Sequence, residues 1–334
     1  MKKVTIDPIT RLEGHGKIEI FLDDAGNVAD AYLQIPELRG FEKFCQGRPV
    51  EEMPRITPRI CGVCPEAHLM ASAKACDAVY GMTIPRTAAM LRELLYNIFY
   101  VTDHTTHFYA LAGPDFVVGP DAPKAQRNIL GIIHKVGVEI GGKVIGIRGA
   151  CHDLIKKMGG KSVHPIGAVP GGMSIGMSKD LHEEVVRVGE DALEFAKFTI
   201  QLFNDIVLKN KAYVDIILSD MFTHQTYNMG LVDENNHTNF YDGWIRVTGP
   251  DGKELVKFKA GDYLDHIDEH VEPWSYLKFP YLKNVGWKGF VDGPESGVYK
   301  ATPLSRCNVS EGMATPLANE EHERIDINFI YDRL

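Results

Sequence analysis

The sequence contains no apolar run that approaches the roughly 20 residues a membrane-spanning helix needs. Its opening, "MKKVTIDPITR", passes from two lysines into a charged, alternating segment and has no apolar signal core. We therefore predict no direct membrane span, and we expect a cytoplasmic location.

Basic residues are outnumbered, since 36 lysines and arginines stand against 45 aspartates and glutamates for a formal net charge of -9. The two signs are interspersed without a basic stripe, which argues against nucleic acid or an anionic membrane surface as the main partner. Cysteine is also scarce, with six in 334 residues. A core this large needs no disulfide staples, so we expect free thiols or metal ligands.

The N-terminal segment has the alternation of β-strands. The runs "KIEIFL" and "VADAYLQI" are separated by "DDAGN", a turn signal, and together predict an antiparallel hairpin. Beyond residue 211, short apolar runs are broken by Gly, Asn, Asp and Pro. In "WIRVTGPDGKELVKF" the "GPDG" marks a second hairpin, so we predict a smaller β-rich insertion there.

The middle of the chain has helical periodicity in three tracts. The first begins at Pro85 and runs to about Leu111. The second spans roughly residues 123 to 158, with a weak point at Gly141-Gly142. The third begins after Ser178, whose hydroxyl suits a helix N-cap. These tracts predict a bundle of long helices.

We therefore predict an α+β fold with a long-helix bundle core. The N-terminal β region and the CxxC segment occupy residues 1–84, and the helical bundle core occupies residues 85–210. The β-rich insertion and a shortened C-terminal part occupy residues 211–334.

The segment "RICGVCPEAHLM", residues 59–70, carries the most distinctive chemistry. Thiolates select zinc, copper(I), iron-sulfur clusters or nickel, and a CxxC pair alone does not choose among them. Structural zinc would want a second close pair, whereas Cys76, Cys151 and Cys307 are scattered. A thioredoxin-like dithiol would follow a strand in a compact βαβ unit, and here a proline-rich segment leads in.

His68 lies four residues after Cys64 and would share its face of a helix. There it could donate a hydrogen bond to the cysteine sulfur, as groups around metal ligands do. A histidine considered alone is more often a satisfied structural residue.

Six segments in a fixed order, between residues 9 and 283, carry a family resemblance that extends from residue 6 to about residue 318: "ITRLEGHGKI", "RGFEKFCQGRP", "RICGVCPEAH", "HTTHFYALAGPDF", "HPIGAVPGG" and "WSYLKFPYLK". The chain resembles the large, nickel-iron-bearing subunit of [NiFe]-hydrogenases. It is most similar to the soluble cytoplasmic branch, whose members couple hydrogen to NAD(P), a deazaflavin or a heterodisulfide reductase.

The resemblance implies a nickel-iron centre whose iron also carries carbon monoxide and cyanide. Cys61 would be a terminal nickel ligand, and Cys64 would bridge nickel to iron with His68 bonded to its sulfur. Soft sulfurs suit a nickel that handles hydride, and a thiolate can accept the proton when hydrogen is split.

Three carboxylates also acquire roles through the resemblance. Glu13 would pass protons between a nickel-bound thiolate and the exterior, Glu42 would bind magnesium or a similar hard cation, and Asp115 would lie over the metal site and orient other charged groups. Taken alone, Glu13 is a surface glutamate and Asp115 a helix-end residue.

The family completes its metal site with a second cysteine pair in a "DPCxxC" segment, and this sequence contains no such pair. Three explanations stay open: a shortened gene, a second polypeptide that supplies the missing thiolates, or a relative that has given up the metal. The last would make the chain a metal-free or immature scaffold subunit of an electron-transfer complex. Retention of Cys61 and Cys64 favours the first two.

We predict the large subunit of a [NiFe]-hydrogenase that oxidises H2 reversibly to protons and electrons. The sequence has no cysteine pattern for iron-sulfur clusters, so electrons would leave through an iron-sulfur small subunit. Further electron-transfer subunits, linked to flavin and NAD or to ferredoxin, would complete the complex.

Overall fold

The computed structural model describes residues 2–37 and 40–325. Contacts divide the chain into two compact units. The first unit consists of Met1–Ala31 and Pro36–Asn210, and the second consists of Tyr32–Ile35 and Lys211–Leu334. The three-region division made from the sequence stays a prediction.

The N-terminal strands form a three-stranded sheet in the order β1-β2-β3: β1 is Lys2–Ile6, β2 is Lys17–Leu22 and β3 is Val28–Gln34. Strand β1 runs antiparallel to β2, with Ile6 opposite Ile18. Between β2 and β3 the Asp23 carboxylate accepts hydrogen bonds from the amides of Ala25 (2.9 Å) and Asn27 (2.8 Å). This turn follows the "DDAGN" signal, and the predicted strands are confirmed.

The described α-helices of the first unit are α1 Phe41–Cys45, α2 Met53–Ile56, α3 Pro65–Val79, α4 Arg86–Thr106, α5 Ile129–Val136, α6 Val138–Gly159 and α7 Lys179–Phe203. Helix α4 packs against α3 and α6, and α6 packs against α7. Side chains such as Leu95 and Ile155 are fully buried in this bundle. Ser178 caps α7 by accepting the Leu181 amide at 3.2 Å. The predicted long-helix bundle and α+β fold class are confirmed.

The helical tract after residue 123 breaks at a different glycine from the one predicted. It begins only where Asn128 caps α5, and the chain turns at Gly137, whose φ of 94° is easy for glycine alone. Gly141 and Gly142 lie inside α6. A Cβ on Gly141 would come within 3.0 Å of Ile133, so this glycine allows α5 and α6 to approach closely.

Helix α4 ends at Thr106, before the predicted end near Leu111, and the helical run continues past Leu111 as π-helical turns at His107–Ala112 and Pro114–Val118. The Tyr109 hydroxyl is hydrogen-bonded to the Thr199 hydroxyl of α7 at 2.9 Å. The tyrosine therefore holds this segment against the bundle.

A buried ion pair joins α3, α4 and the hairpin formed by β4 (Ala168–Val169) and β5 (Gly172–Met173). The fully buried Arg92 guanidinium donates to Asp77 at 2.6 Å and to the carbonyl oxygens of Val169 (2.7 Å) and Gly172 (3.2 Å). Asp77 also accepts the Gly171 amide at 2.7 Å. The glycine-rich "PGG" segment is therefore a turn that hydrogen bonds from the buried Arg92–Asp77 pair hold in place.

The second unit is built on a sheet in the order β13-β7-β6-β8-β9, with β12 beside β6, and on a separate β10-β11 pair. Its strands are β6 Tyr227–Val232, β7 His237–Thr238, β8 Trp244–Thr248, β9 Glu254–Phe258, β10 Ile267–Val271, β11 Lys278–Leu282, β12 Tyr299–Lys300 and β13 Gly312–Met313. Its helices are α8 Lys211–Ile217, α9 Tyr263–His266, α10 Pro303–Asn308 and α11 Pro316–Arg324.

A hydrophobic cluster of Tyr227, Val247 and Phe258 from this sheet and Leu282 from β11 forms a core of the unit. The hairpin predicted from "GPDG" is confirmed as β8 and β9. Among the described residues, none of the helices has the length and apolar character needed to cross a membrane.

We predict that Arg92→Met lowers the free energy of unfolding by about 3 to 5 kcal/mol, because it leaves the Asp77 carboxylate buried without its cation. Urea denaturation of the purified chain measures the change. As a matched control, Lys179→Met removes an exposed ion pair with Glu183 and should cost less than about 1 kcal/mol. Equal losses in the two variants would contradict this interpretation.

Candidate metal centre

The cysteine pair lies where a short helical turn gives way to a long helix. Cys61 is extended directly after the 3-10 turn Thr57–Ile60, and Cys64 occupies the N-cap position of α3. Pro65 at the first helical position suits that start. His68 follows one turn into α3, so its ring can reach the face that carries Cys64.

The ligand atoms of Cys61, Cys64 and His68 all lie within 4.8 Å of one another. The two sulfur atoms are in direct contact, as in a disulfide, and the Cα atoms are 5.4 Å apart. The Cys64 amide donates to Cys61 Sγ at 3.1 Å. Within the described residues, this is the one group of three potential ligands close enough to share a metal ion.

Glu13 is brought to the cysteine pair from a position 48 residues away in the sequence. Its Oε1 atom lies 3.4 Å from Cys61 Sγ, so the carboxylate can accept a hydrogen bond from the Cys61 thiol when the cysteine pair is reduced. Because Cys61 is 8% exposed, this contact forms at the edge of the protein interior. The carboxylate and the sulfur are therefore within direct hydrogen-bonding distance.

Asp115 lies in the π-helical turn Pro114–Val118 and faces two arginines. The Arg11 guanidinium donates to both Asp115 oxygens, at 2.9 and 2.7 Å, and to the Leu111 carbonyl at 2.7 Å. Arg127 is 3.5 Å from Asp115. Sequence analysis assigned no role to Arg11, although it lies two residues before Glu13 in the segment "ITRLEGHGKI".

Glu42 lies on the exposed surface of α1. It is not a member of the group that Cys61, Cys64 and His68 form in the described part of the chain. Its role as a ligand for a hard cation stays a prediction.

Burial sets the charge state around α3. It raises the pKa of Glu66, which is 2% exposed, to about 7, and the Asp103 carboxylate adds to the rise. Burial also lowers the pKa of His68, which favours a neutral imidazole at pH 7. Two soft thiolates with a neutral imidazole beside them fit nickel or another soft metal, and they do not fit magnesium.

An apolar cavity of about 180 Å³ lies against the π-helical run. Its lining includes Phe108, Phe116, Ile132, Leu202 and Val207. Phe116 directly follows Asp115, so the cavity adjoins the segment that carries this aspartate. Cavities with such walls stay dry and admit small apolar molecules.

Family comparison points to one class of enzyme. The model of a family described as "Nickel-dependent hydrogenase" matches residues 39–135, and one described as "HoxL-like" matches residues 3–38. An F420-non-reducing hydrogenase iron-sulfur subunit of Archaeoglobus profundus is 47% identical over 97% of this chain and 67% of the relative. This chain belongs to the nickel-dependent hydrogenase family.

Other relatives agree with this assignment. The NAD-reducing hydrogenase HoxS subunit beta of Cupriavidus necator is 38% identical over 97% of this hydrogenase chain and 66% of that relative. The crystal structure of an H2-reduced NAD+-reducing [NiFe]-hydrogenase superposes with a TM-score of 0.89 at 33% identity, covering 97% of this chain and 70% of the other. The predictions that this chain is an enzyme and the large subunit of a [NiFe]-hydrogenase are confirmed.

We predict that Glu66→Gln changes how the stability of this hydrogenase chain depends on pH. Between about pH 4.5 and 7 the unfolded chain ionises Glu66 while the folded chain keeps it protonated, so the free energy of unfolding falls as pH rises. The glutamine variant has no such loss. The free energy of unfolding of Glu66→Gln, relative to that of the wild type, should therefore rise across this range by on the order of 3 kcal/mol.

Urea unfolding of both proteins at about pH 4.5, 6 and 7.5 provides the comparison. Parallel stability curves would show that Glu66 ionises normally in the folded chain.

Proposed function

We propose that this chain catalyses reversible H2 oxidation at a nickel-iron centre held by Cys61 and Cys64. The contact between Glu13 and the Cys61 sulfur carries the proposal, because a buried metal thiolate needs a proton acceptor within reach. Nickel coordinated by soft sulfur supplies the chemistry that splits hydrogen when the metal is bound.

Each residue of the site would have a separate role in the reaction. Cys61 and Cys64 would hold the nickel-iron centre through their sulfur atoms, and His68 would donate a hydrogen bond to the Cys64 sulfur. A cysteine sulfur would hold the proton released from hydrogen. Glu13 would accept it across the 3.4 Å contact and pass it toward the exterior.

Other parts of the centre rest on the family alone. We propose that the iron carries carbon monoxide and cyanide, that Glu42 contributes to a magnesium or similar site, and that a second pair of thiolates completes the nickel coordination. Two thiolates do not satisfy a centre that needs four, so we expect Cys61 and Cys64 to bind metal weakly without that pair.

Electrons would leave through a separate polypeptide. We propose that the direct partner is an iron-sulfur small subunit, with further subunits linked to flavin and NAD or to ferredoxin. The two relatives named above are themselves hydrogenase subunits, which supports a complex of several chains, and we propose a cytoplasmic location for it.

We predict that Cys64→Ser abolishes hydrogen-dependent dye reduction and lowers nickel to near zero per chain, because a serine hydroxyl is a poor substitute for a soft bridging thiolate. Elemental analysis and dye reduction on the complex purified with its natural partners measure both effects. Cys45→Ser serves as the control, since Cys45 is a free thiol outside the site. Normal nickel in Cys64→Ser, or a wild-type complex without nickel, would favour the metal-free scaffold.

We predict that Glu13→Gln keeps its nickel but lowers the rate of hydrogen oxidation by about 100-fold or more, because the amide cannot accept a proton from the sulfur. Nickel content and dye reduction are measured on the same preparation. Wild-type turnover in this variant would remove Glu13 from the proton route.

A further inference from the structure

We propose that Arg11 is a positioning residue for hydrogen oxidation, and that it holds the backbone of the Glu13 loop so that the Glu13 carboxyl faces the Cys61 sulfur. Asp115 would then act through Arg11. This inference rests on the proposed function of Glu13, and it adds a residue that neither the sequence motif nor the metal ligands identify.

The first supporting observation is the set of three hydrogen bonds that the Arg11 guanidinium donates. Two parallel bonds to Asp115 fix the plane of the guanidinium, and a third to the Leu111 carbonyl fixes its direction. All three acceptors belong to the continuous helical run that follows α4. The arginine is therefore tied to a rigid element rather than to another loop.

The second support is the backbone of Arg11 itself, which has a φ of 57°. A residue with a Cβ rarely adopts this left-handed conformation. Such a conformation persists only where surrounding contacts impose it. The bonds of the guanidinium are the contacts that do so here.

The third support is the closure of the loop around Glu13. The Ile9 amide donates to the Gly16 carbonyl at 2.9 Å and closes the base of the loop. The His15 amide donates to the Glu37 carboxylate at 2.8 Å and holds the far side. With Arg11 held on the near side, Glu13 lies between two anchors and its carboxyl meets Cys61.

If the Arg11–Asp115 ion pair had only a structural role, its removal would have a different effect. The Arg11 and Asp115 side chains are 26% and 39% exposed, and a pair so exposed contributes little to stability. If stability were its only role, removal of Arg11 would shift the melting temperature slightly and leave catalysis unchanged. If the pair positions Glu13, catalysis falls while folding and nickel binding remain.

The test uses the purified complex and the variants Arg11→Ala, Arg11→Lys, Arg11→Gly and Asp115→Asn. We expect a decrease in hydrogen-dependent dye reduction of about 10- to 100-fold in each, because a misplaced carboxyl transfers protons poorly. Nickel content should be that of the wild type. Arg11→Lys should not restore turnover, because an ammonium group cannot form the two parallel hydrogen bonds of the guanidinium. Arg11→Gly should not restore turnover either, although glycine relieves the backbone strain.

Infrared spectroscopy supplies a readout that does not depend on turnover. The carboxyl stretching band of Glu13 is assigned as the band that Glu13→Gln removes, and we expect Arg11→Ala to shift it. The double variant Arg11→Ala with Asp115→Asn should be no slower than either single variant, because both act through one contact. Arg48→Ala, which removes an exposed pair with Glu52, is the matched control and should keep full turnover.

Two outcomes would overturn the inference, and they are distinguishable. Full turnover and an unshifted band in Arg11→Ala, with Glu13→Gln inactive, would overturn the role of Arg11 alone. Full turnover in Glu13→Gln would overturn the proposed proton route and this inference with it. If Arg11→Ala loses nickel, Arg11→Gly and Arg11→Lys decide the question, and restored turnover in either would count against positioning by the hydrogen bonds of the guanidinium.

Discussion

The geometry of the candidate centre depends on a buried ion pair. Arg92 and Asp77 are buried together, and their hydrogen bonds join α3, α4 and the β4-β5 hairpin. Helix α3 begins directly after Cys64, and α4 leads into the turns that carry Asp115. Because guanidinium N–H groups point in fixed directions, the pair sets the rotation of one helix against the other, which apolar packing alone specifies less strictly.

Most of the architecture could be predicted because its signals are local. Periodic apolar residues placed α4 and α7, and Ser178 and the "GPDG" turn placed two boundaries. The break in the middle tract could not be placed, since a glycine can either turn the chain or let two helices approach. Gly137 does the first and Gly141 does the second, and only the position of Ile133 in space distinguishes them.

Some residues of the site could likewise be predicted from the local sequence, whereas others depend on contacts between residues far apart in the chain. Cys61, Cys64 and His68 form a motif within eight residues, so their proximity follows from one turn of helix. Glu13 entered only through family resemblance, because no local rule joins residues so far apart in the sequence. Arg11 could not have been found, since an arginine in a loop is usually a solvated charge. Its importance lies in a partner 104 positions away.

The π-helical run that carries Asp115 imposes a further constraint on how this protein can vary. In such turns the backbone bonds to the fifth residue rather than the fourth, so each contains one residue more than an α-helical turn would hold. Because the wider turn takes up this additional residue, loss of one residue from His107–Ala112 would restore ordinary helix and leave the later residues close to their present rotation. Loss of one residue from the α-helical part of α4 would instead rotate Asp115 by about 100° away from Arg11, so the position of a length change matters more than its size.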